Sequence, residues 1–212
     1  MKDSVKYRNW LSRLKSEGIN VRSVEELQTI RSPRGNVLFS MIKTDAVDSD
    51  GVPLLPVVVL RGHFVSVMTH LVDTATDEKF MLLVKQRRVA TGGWFYEHPA
   101  GMCDEDSDPL AVAVKEVKEE TGLEMERADI VALNERPFYS SPGLLDEGGY
   151  FFYCRVETDR AVIDQFRGKA TGAADESEFI HTVVLPDNQA LPLIESGPSL
   201  LNYYLYKSKF PD

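Results

Sequence analysis

The sequence predicts an α+β fold, an α/β/α sandwich around a mixed sheet, and two observations carry that prediction. Apolar runs of strand length (VLFSMIKTDA, LLPVVVL, HFVSVMTHLVD, KFMLLVKQRRV, YFFYCRV and FIHTVVL) are separated by polar turns rich in Gly, Asp and Ser. A few helical segments with legible start and stop signals stand among and around those runs, two of them placed to flank a sheet.

Taken in order, residues 4–18 are predicted helical, with Trp10, Leu11 and Leu14 on one side and Gly18 as the stop. Ser23 followed by Glu26 has the form of a capping box, which predicts a second, short helix over 24–30. The SPRGN turn leads to a strand over 37–46, and the DSDG turn to another over 54–60. Elements so few bury little by themselves, so residues 1–60 are expected to be an extension that docks on the rest or on a second copy. From Arg61 the rhythm changes, and residues 61–212 are expected to form the main domain. HFVSVMTHLVD and KFMLLVKQRRV are strands joined by TATDE, followed by the TGG loop at 91–93 and the segment WFYEHPAG. Beyond residue 123 come a strand over 130–135, the loop RPFYSSPGLLDEGG and an aromatic strand over 150–156. A short helix over 159–168, the loop GKATGAADESE and a strand over 179–185 follow. A C-terminal helix closes the chain after SGPS, with Leu200, Leu201, Tyr204 and Leu205 at helical spacing.

Charge narrows the class of function. Of 212 residues 27% are charged, and the net charge is −9, which disfavours a surface that grips RNA or DNA. A small anionic substrate stays compatible, because metal ions supply local positive charge. The two cysteines, Cys103 and Cys154, form neither a ligand spacing nor a disulfide framework, as expected in a reducing compartment. No run approaches the length of a membrane span and no signal-type apolar segment follows Met1. An intracellular, cytoplasmic protein is expected, with an organelle as the alternative. The histidines His63, His70, His98 and His181 show no ligand spacing and are read as structural.

The stretch GMCDEDSDPLAVAVKEVKEETGL, residues 101–123, is where chemistry concentrates. Asp108 before Pro109 is a helix start, and Thr121-Gly122 a helix stop. Glu116, Glu119 and Glu120 fall on one side of that helix, and Leu110, Ala113, Val114 and Val117 on another. Like charges packed this closely need full solvation or a cation, and oxygen donors select a hard ion, Mg²⁺ or else Mn²⁺.

This stretch resembles the Nudix box, G-x5-E-x7-R-E-U-x-E-E-x-G-U with U a bulky aliphatic residue. Gly101, Glu116, Val117, Glu119, Glu120, Gly122 and Leu123 stand at the prescribed offsets, while Ser107 replaces the first Glu and Lys115 the Arg. EHPAGMCDED, SSPG at 140–143, GKATGAADESEFI and the strands VLFSMIKTDA and VVVLRG resemble segments of ADP-ribose and ADP-sugar pyrophosphatases, the plant-type ADP-sugar enzymes most of all. The resemblance implies a Nudix-type sandwich that uses Mg²⁺ to hydrolyse a nucleotide sugar. It further implies Glu116 and Glu120 as the principal metal ligands, Glu119 sharing the task, and a backbone carbonyl near Ala100 or Gly101 completing the shell. In the late loop it implies Glu176 as general base and Glu178 as an added ligand, with Asp175 as an alternative base. Arg88 matches a position that reaches substrate phosphates, and Glu97 one near the substrate. The aromatics Trp94, Phe95, Phe138 and Tyr139 can stack a base or fill a core.

The departures concern support rather than contact. Lys115 offers a charge but no planar fork, and Ser107 no carboxylate; Asp106 and Asp108 are the acidic side chains beside it. The reading is therefore an enzyme cutting ADP-ribose or an ADP-hexose into AMP and a sugar phosphate. The alternative is a nucleotide-sugar sensor whose box has drifted. Two-fold pairing through the N-terminal strands is what the resemblance implies about assembly, with no nucleic acid and no membrane as partners.

Overall fold

The computed structural model describes residues 1–103, 108–172 and 179–211. The chain folds into two compact units. One comprises Met1–Phe64, Met102 with Cys103, and Pro137–Gly149; the other comprises Val65–Gly101, Asp108–Arg136 and the described residues from Tyr150 on.

The first unit begins with α1 (Val5–Ser16), started where the Ser4 side chain accepts from the Tyr7 amide. A three-stranded antiparallel sheet follows, β1 (Asn20–Arg31), β2 (Val37–Val47) and β3 (Val57–Leu60), in that order. The helix expected over 24–30 is not there: those residues lie inside β1. A capping box is a local signal, and here twelve residues carrying β-branched Val21, Val24, Thr29 and Ile30 pair along β2 instead, with register shifts at three places. The strand expected over 54–60 starts only at Val57, because Pro56 cannot continue a ladder on its amide side. Tyr7 and Trp10 of α1 pack with Met1, Ile42 and Leu60 into a small core, joined by partly buried Leu11 and Leu14. Residues of the loop 137–149 tie back to β3: Val59 donates to Leu144 O at 2.8 Å, and Asp146 Oδ1 accepts from the Arg61 and Gly62 amides.

The second unit is built on β4 (Phe64–Asp73), β5 (Lys79–Arg88), β6 (Gly93–Glu97) and β7 (Ala100–Met102). These are followed by α2 (Pro109–Thr121) and β8 (Ile130–Ala132); β9 (Phe138–Tyr139) falls in the first unit. Next come β10 (Gly148–Thr158), α3 (Arg160–Gln165), β11 (Ala170–Thr171) and β12 (Ile180–Leu185). The chain closes with α4 (Asp187–Ala190) and α5 (Gly197–Lys209). The main sheet runs β11-β12-β5-β4-β10-β8, with β6 on β5 and β7 on β4. It is mixed. Pairs β12/β5, β5/β4 and β10/β8 are antiparallel. Along β4 and β10, Cys154 meets Thr69 and the Thr74 amide meets Thr158 O, so those strands run the same way. β4 is buried throughout after Phe64, and β5 from Phe80 to Val84, as strands covered on both faces must be.

One face of this sheet carries Met68, Met81, Leu83 and Tyr153 in a cluster with Ala190, Ile194 and Tyr206. The C-terminal helix turns a different side inward from the one its apolar spacing suggests. Ser199, Asn202 and Tyr206 are buried, while Leu201 and Tyr204 are 38% and 61% exposed. Hydrogen bonding decides the rotation: Asn202 Nδ2 donates to Ser66 O at 2.9 Å, and Ser199 Oγ accepts from the His98 amide at 3.0 Å. Apolar periodicity cannot register an inward polar stripe that satisfies buried backbone groups. Among the described residues no helix is long and apolar enough to cross a membrane.

Candidate functional site

The site is organised by α2. Its N-terminus is closed by Asp108, whose carboxylate accepts from the Leu110 amide at 3.0 Å and pairs with Arg127 at 2.7 Å. Hydrogen bonding to that guanidinium, which the sequence did not single out, holds the Asp108 carboxyl below the usual range. So Asp108 is committed to capping the helix. Its C-terminus is closed by Gly122 at φ 72°, in the left-handed region, after a turn in which Thr121 Oγ1 donates to Val117 O at 2.6 Å. Val112, Ala113 and Val117 are buried, and so are Glu120 and Thr121 at the end of the same stripe.

A carboxylate that is 3% exposed, as Glu120 is, needs a partner, and it has one: the Ala100 amide donates to Glu120 Oε2 at 2.9 Å. The next residue explains the glycine of the box. A Cβ on Gly101 would stand 2.1 Å from Glu116 Cδ and 2.2 Å from its Oε1, so only a bare backbone can lie against that carboxylate. The turn at 100–101 thus touches both Glu116 and Glu120. Glu119, half exposed, is drawn aside by Lys115, whose Nζ lies 2.9 Å from its Oε2 and 3.6 Å from Glu116 Oε1. Among the described residues no three acidic or histidine side chains converge as a finished metal cage. What is assembled is an all-oxygen set, two carboxylates and a backbone turn, with an ammonium across it. Such donors suit a hard divalent cation.

Arg88 and Glu97 meet each other on the β5–β6 hairpin, Nε to Oε2 at 2.8 Å, with the Glu97 side chain largely shielded. On the hairpin's other face Arg87 and Lys85 lie over the ring of half-exposed Trp94. Glu176, Glu178 and Asp175, and also Ser107 and Asp106, lie outside the described residues. Lys169 and Thr171 reach the last turn of α2 from 48 and 51 residues away, contacts that carry no signal in the sequence.

His70, His98 and Cys154 are buried in the second unit. His70 is buried between Asp187, 2.9 Å from Nε2, and the Tyr153 hydroxyl, 3.3 Å from Nδ1. His98 is fully buried, and burial pulls its pKa down to about 3, helped by the His70 ring. Cys154 sits against Thr69 Oγ1 at 3.1 Å, and burial pushes its thiol up to about 12, which makes it inert.

Comparisons with known proteins agree with the box. Residues 63–193 match the family model described as NUDIX domain. "Nudix hydrolase 14, chloroplastic" of Arabidopsis thaliana is 30% identical over 97% of this chain and 71% of its own length. An ADP-ribose pyrophosphatase of Bacillus subtilis is 31% identical over 57% of the chain and 59% of its own length. A GDP-mannose pyrophosphatase of Escherichia coli K12 is 34% identical over 58% of the chain, so the match takes in 61% of that relative. A crystal structure of an ADP compounds hydrolase superposes over 90% of the chain and 93% of its own at a TM-score of 0.57 and 16% identity, a likeness of fold. The chain belongs to the Nudix hydrolase family.

Proposed function

We propose that the protein hydrolyses the pyrophosphate bond of a nucleotide sugar, ADP-ribose or an ADP-hexose, to AMP and a sugar phosphate, with Mg²⁺. The observation that carries this reading is the seat of the 100–101 turn against Glu116 and Glu120. The names of the Bacillus and Escherichia relatives support the substrate class.

In this reading Glu116, Glu120 and the Ala100 carbonyl would hold the cation, with Glu119 sharing the task. When bound, the cation neutralises the diphosphate and lowers the cost of deprotonating water. The Ala100 amide, donating to Glu120 Oε2, holds that carboxylate in one orientation. Arg88 exchanges Glu97 for a substrate phosphate, a bidentate partner for its guanidinium. Glu176 takes the proton of the attacking water and Glu178 adds a ligand. Purified protein incubated with ADP-ribose, ADP-glucose, GDP-mannose and Mg²⁺ should release a nucleoside monophosphate from at least one. Binding without product from any of them overturns the enzyme reading.

The second reading, a nucleotide-sugar sensor, draws on Lys115, whose ammonium spans Glu116 and Glu119 where a cation's charge is needed. Lys115→Arg restores the box guanidinium, and should strengthen Mg²⁺ activation by up to about tenfold if the protein is an enzyme.

The assembly reading is a homodimer in which residues 1–60 pair with a second copy and wall the substrate, residues 61–212 being the hydrolase domain. Ile30, Phe39 and Met41 support it: they lie on one face of β1–β2 and are each more than a third exposed. Light scattering that returns a monomer mass at working concentration removes it.

A further inference from the structure

The last turn of any α-helix leaves four carbonyls without a helical partner. In α2 they belong to Lys118, Glu119, Glu120 and Thr121, so two of them sit on the backbone of candidate ligands. Lys118 O accepts from the Gly122 amide at 2.8 Å. The other three are taken by one short segment far along the chain: the Gly172 amide lies 3.4 Å from Glu119 O, Thr171 Oγ1 donates to Glu120 O at 2.5 Å, and Lys169 Nζ to Thr121 O at 3.4 Å.

That segment is itself fixed to the sheet. Ala170 and Thr171 pair with His181 and Ile180 of β12. The Lys169 amide donates to Thr182 Oγ1 at 3.1 Å, and the Thr182 amide to Lys169 O at 3.0 Å. β12 in turn pairs with β5 from Met81 to Lys85. The end of α2 is therefore bolted to the rigid sheet rather than left to fray. The Lys169 ammonium lies close over Gly122, 2.2 Å from where a Cβ would stand, at the carbonyl end of α2, where a positive charge suits the helix dipole.

We infer that Thr171 and Lys169 are positioning residues for metal binding: by gripping the carbonyls of Glu120 and Thr121 they fix the rotation and axial height of the turn whose carboxylates receive the cation. The inference rests on the proposed metal site. Hydrogen bonds to a ligand's own backbone act as an outer shell does, orienting donors without touching the ion. A rotation of this turn would carry Glu120 Oε2 away from the Ala100 amide, so the latch and the 100–101 turn hold one carboxylate from its two ends.

The test measures Mn²⁺ affinity by electron paramagnetic resonance on the full chain without substrate, with thermal melting alongside and kcat and KM for ADP-ribose after. Thr171→Val keeps the shape and removes the donor; Thr171→Ser returns it. Thr171→Val should bind Mn²⁺ about tenfold more weakly, with kcat falling at limiting metal and KM for the nucleotide unchanged, and Thr171→Ser should recover most of it. Lys169→Met should weaken Mn²⁺ in the same direction and Lys169→Arg less, which keeps the inference testable should Thr171→Val fail to fold. Valine and methionine variants that bind Mn²⁺ within twofold of the parent overturn the latch while leaving the metal site standing. A parent protein that binds no Mn²⁺ removes the site and the latch together.

Discussion

The two sheets of this protein are made of similar letters and behave differently. In the main sheet, β4 buries all but its first residue and β5 the run from Phe80 to Val84, and α5 and α4 seal one face through Tyr206, Ala190 and the side chains near them. In the N-terminal sheet, β1 has no fully buried residue, and β2 alternates buried Ile42 and Thr44 with exposed Met41, Lys43 and Asp45. A sheet covered on both faces offers a stiff frame, since close packing leaves its side chains little freedom. A sheet covered on one face keeps an apolar surface in hand for something else. The candidate chemistry sits with the stiff sheet, where carboxylates must be held to within fractions of an ångström.

If that contrast is right, the largest effects belong to the site beside the main sheet. Glu120→Gln preserves size and the acceptor for the Ala100 amide but removes the charge. Turnover of ADP-ribose should fall by at least about a hundredfold while the melting curve stays close to the parent's. Equal kcat in the two proteins would break the assignment. Next in size is stability: Leu83→Ala in β5 opens a cavity in a fully buried cluster and should cost about 3 kcal/mol in urea denaturation. Leu55→Ala, in the N-terminal unit and 73% exposed, should stay within about 0.5 kcal/mol. Comparable losses would mean that the two units do not differ as their burial suggests.

A third test sharpens the role of the wet face. If two copies pair through this face as proposed, Phe39→Glu with Met41→Lys should shift sedimentation from dimer to monomer at micromolar protein and leave each unit folded by circular dichroism. An unchanged mass would show that this face is not where copies meet.

The smallest effect is one of acidity in the N-terminal unit. Burial, with Arg13 adding, holds the His63 imidazole below its ordinary pKa, against a weaker opposite pull from Asp146. The unfolded chain then takes up the proton first, so stability is fully present above about pH 6.5 and declines as pH falls below it. The urea midpoint of the parent should drop from pH 7.5 to pH 5.5 by more than that of His63→Gln. Parallel declines would remove His63 from the pH dependence.

Much of this was legible one residue at a time. The helix with its Asp108 cap and Gly122 stop, the strands β2, β4, β5, β10 and β12, and the facing of Glu116 and Glu120 follow from spacings of a few residues. Two of the misreadings share one cause. Ser23 and Glu26 have the form of a helix start, and Leu200 to Leu205 of an apolar stripe, yet β1 pairs with β2 and α5 turns Ser199 and Asn202 inward. In both places a distant hydrogen-bonding partner outweighed the local preference.

The sequence by itself determined which residues can bear charge on one turn of one helix, because capping and the three-and-four-residue repeat act within that turn. Only the tertiary structure decided what those charges face. The 100–101 turn meets Glu120 across 20 residues, and Thr171 meets it across 51. Contacts of that reach depend on where strands pair, and pairing is settled by burial of the whole sheet rather than by any neighbouring residue.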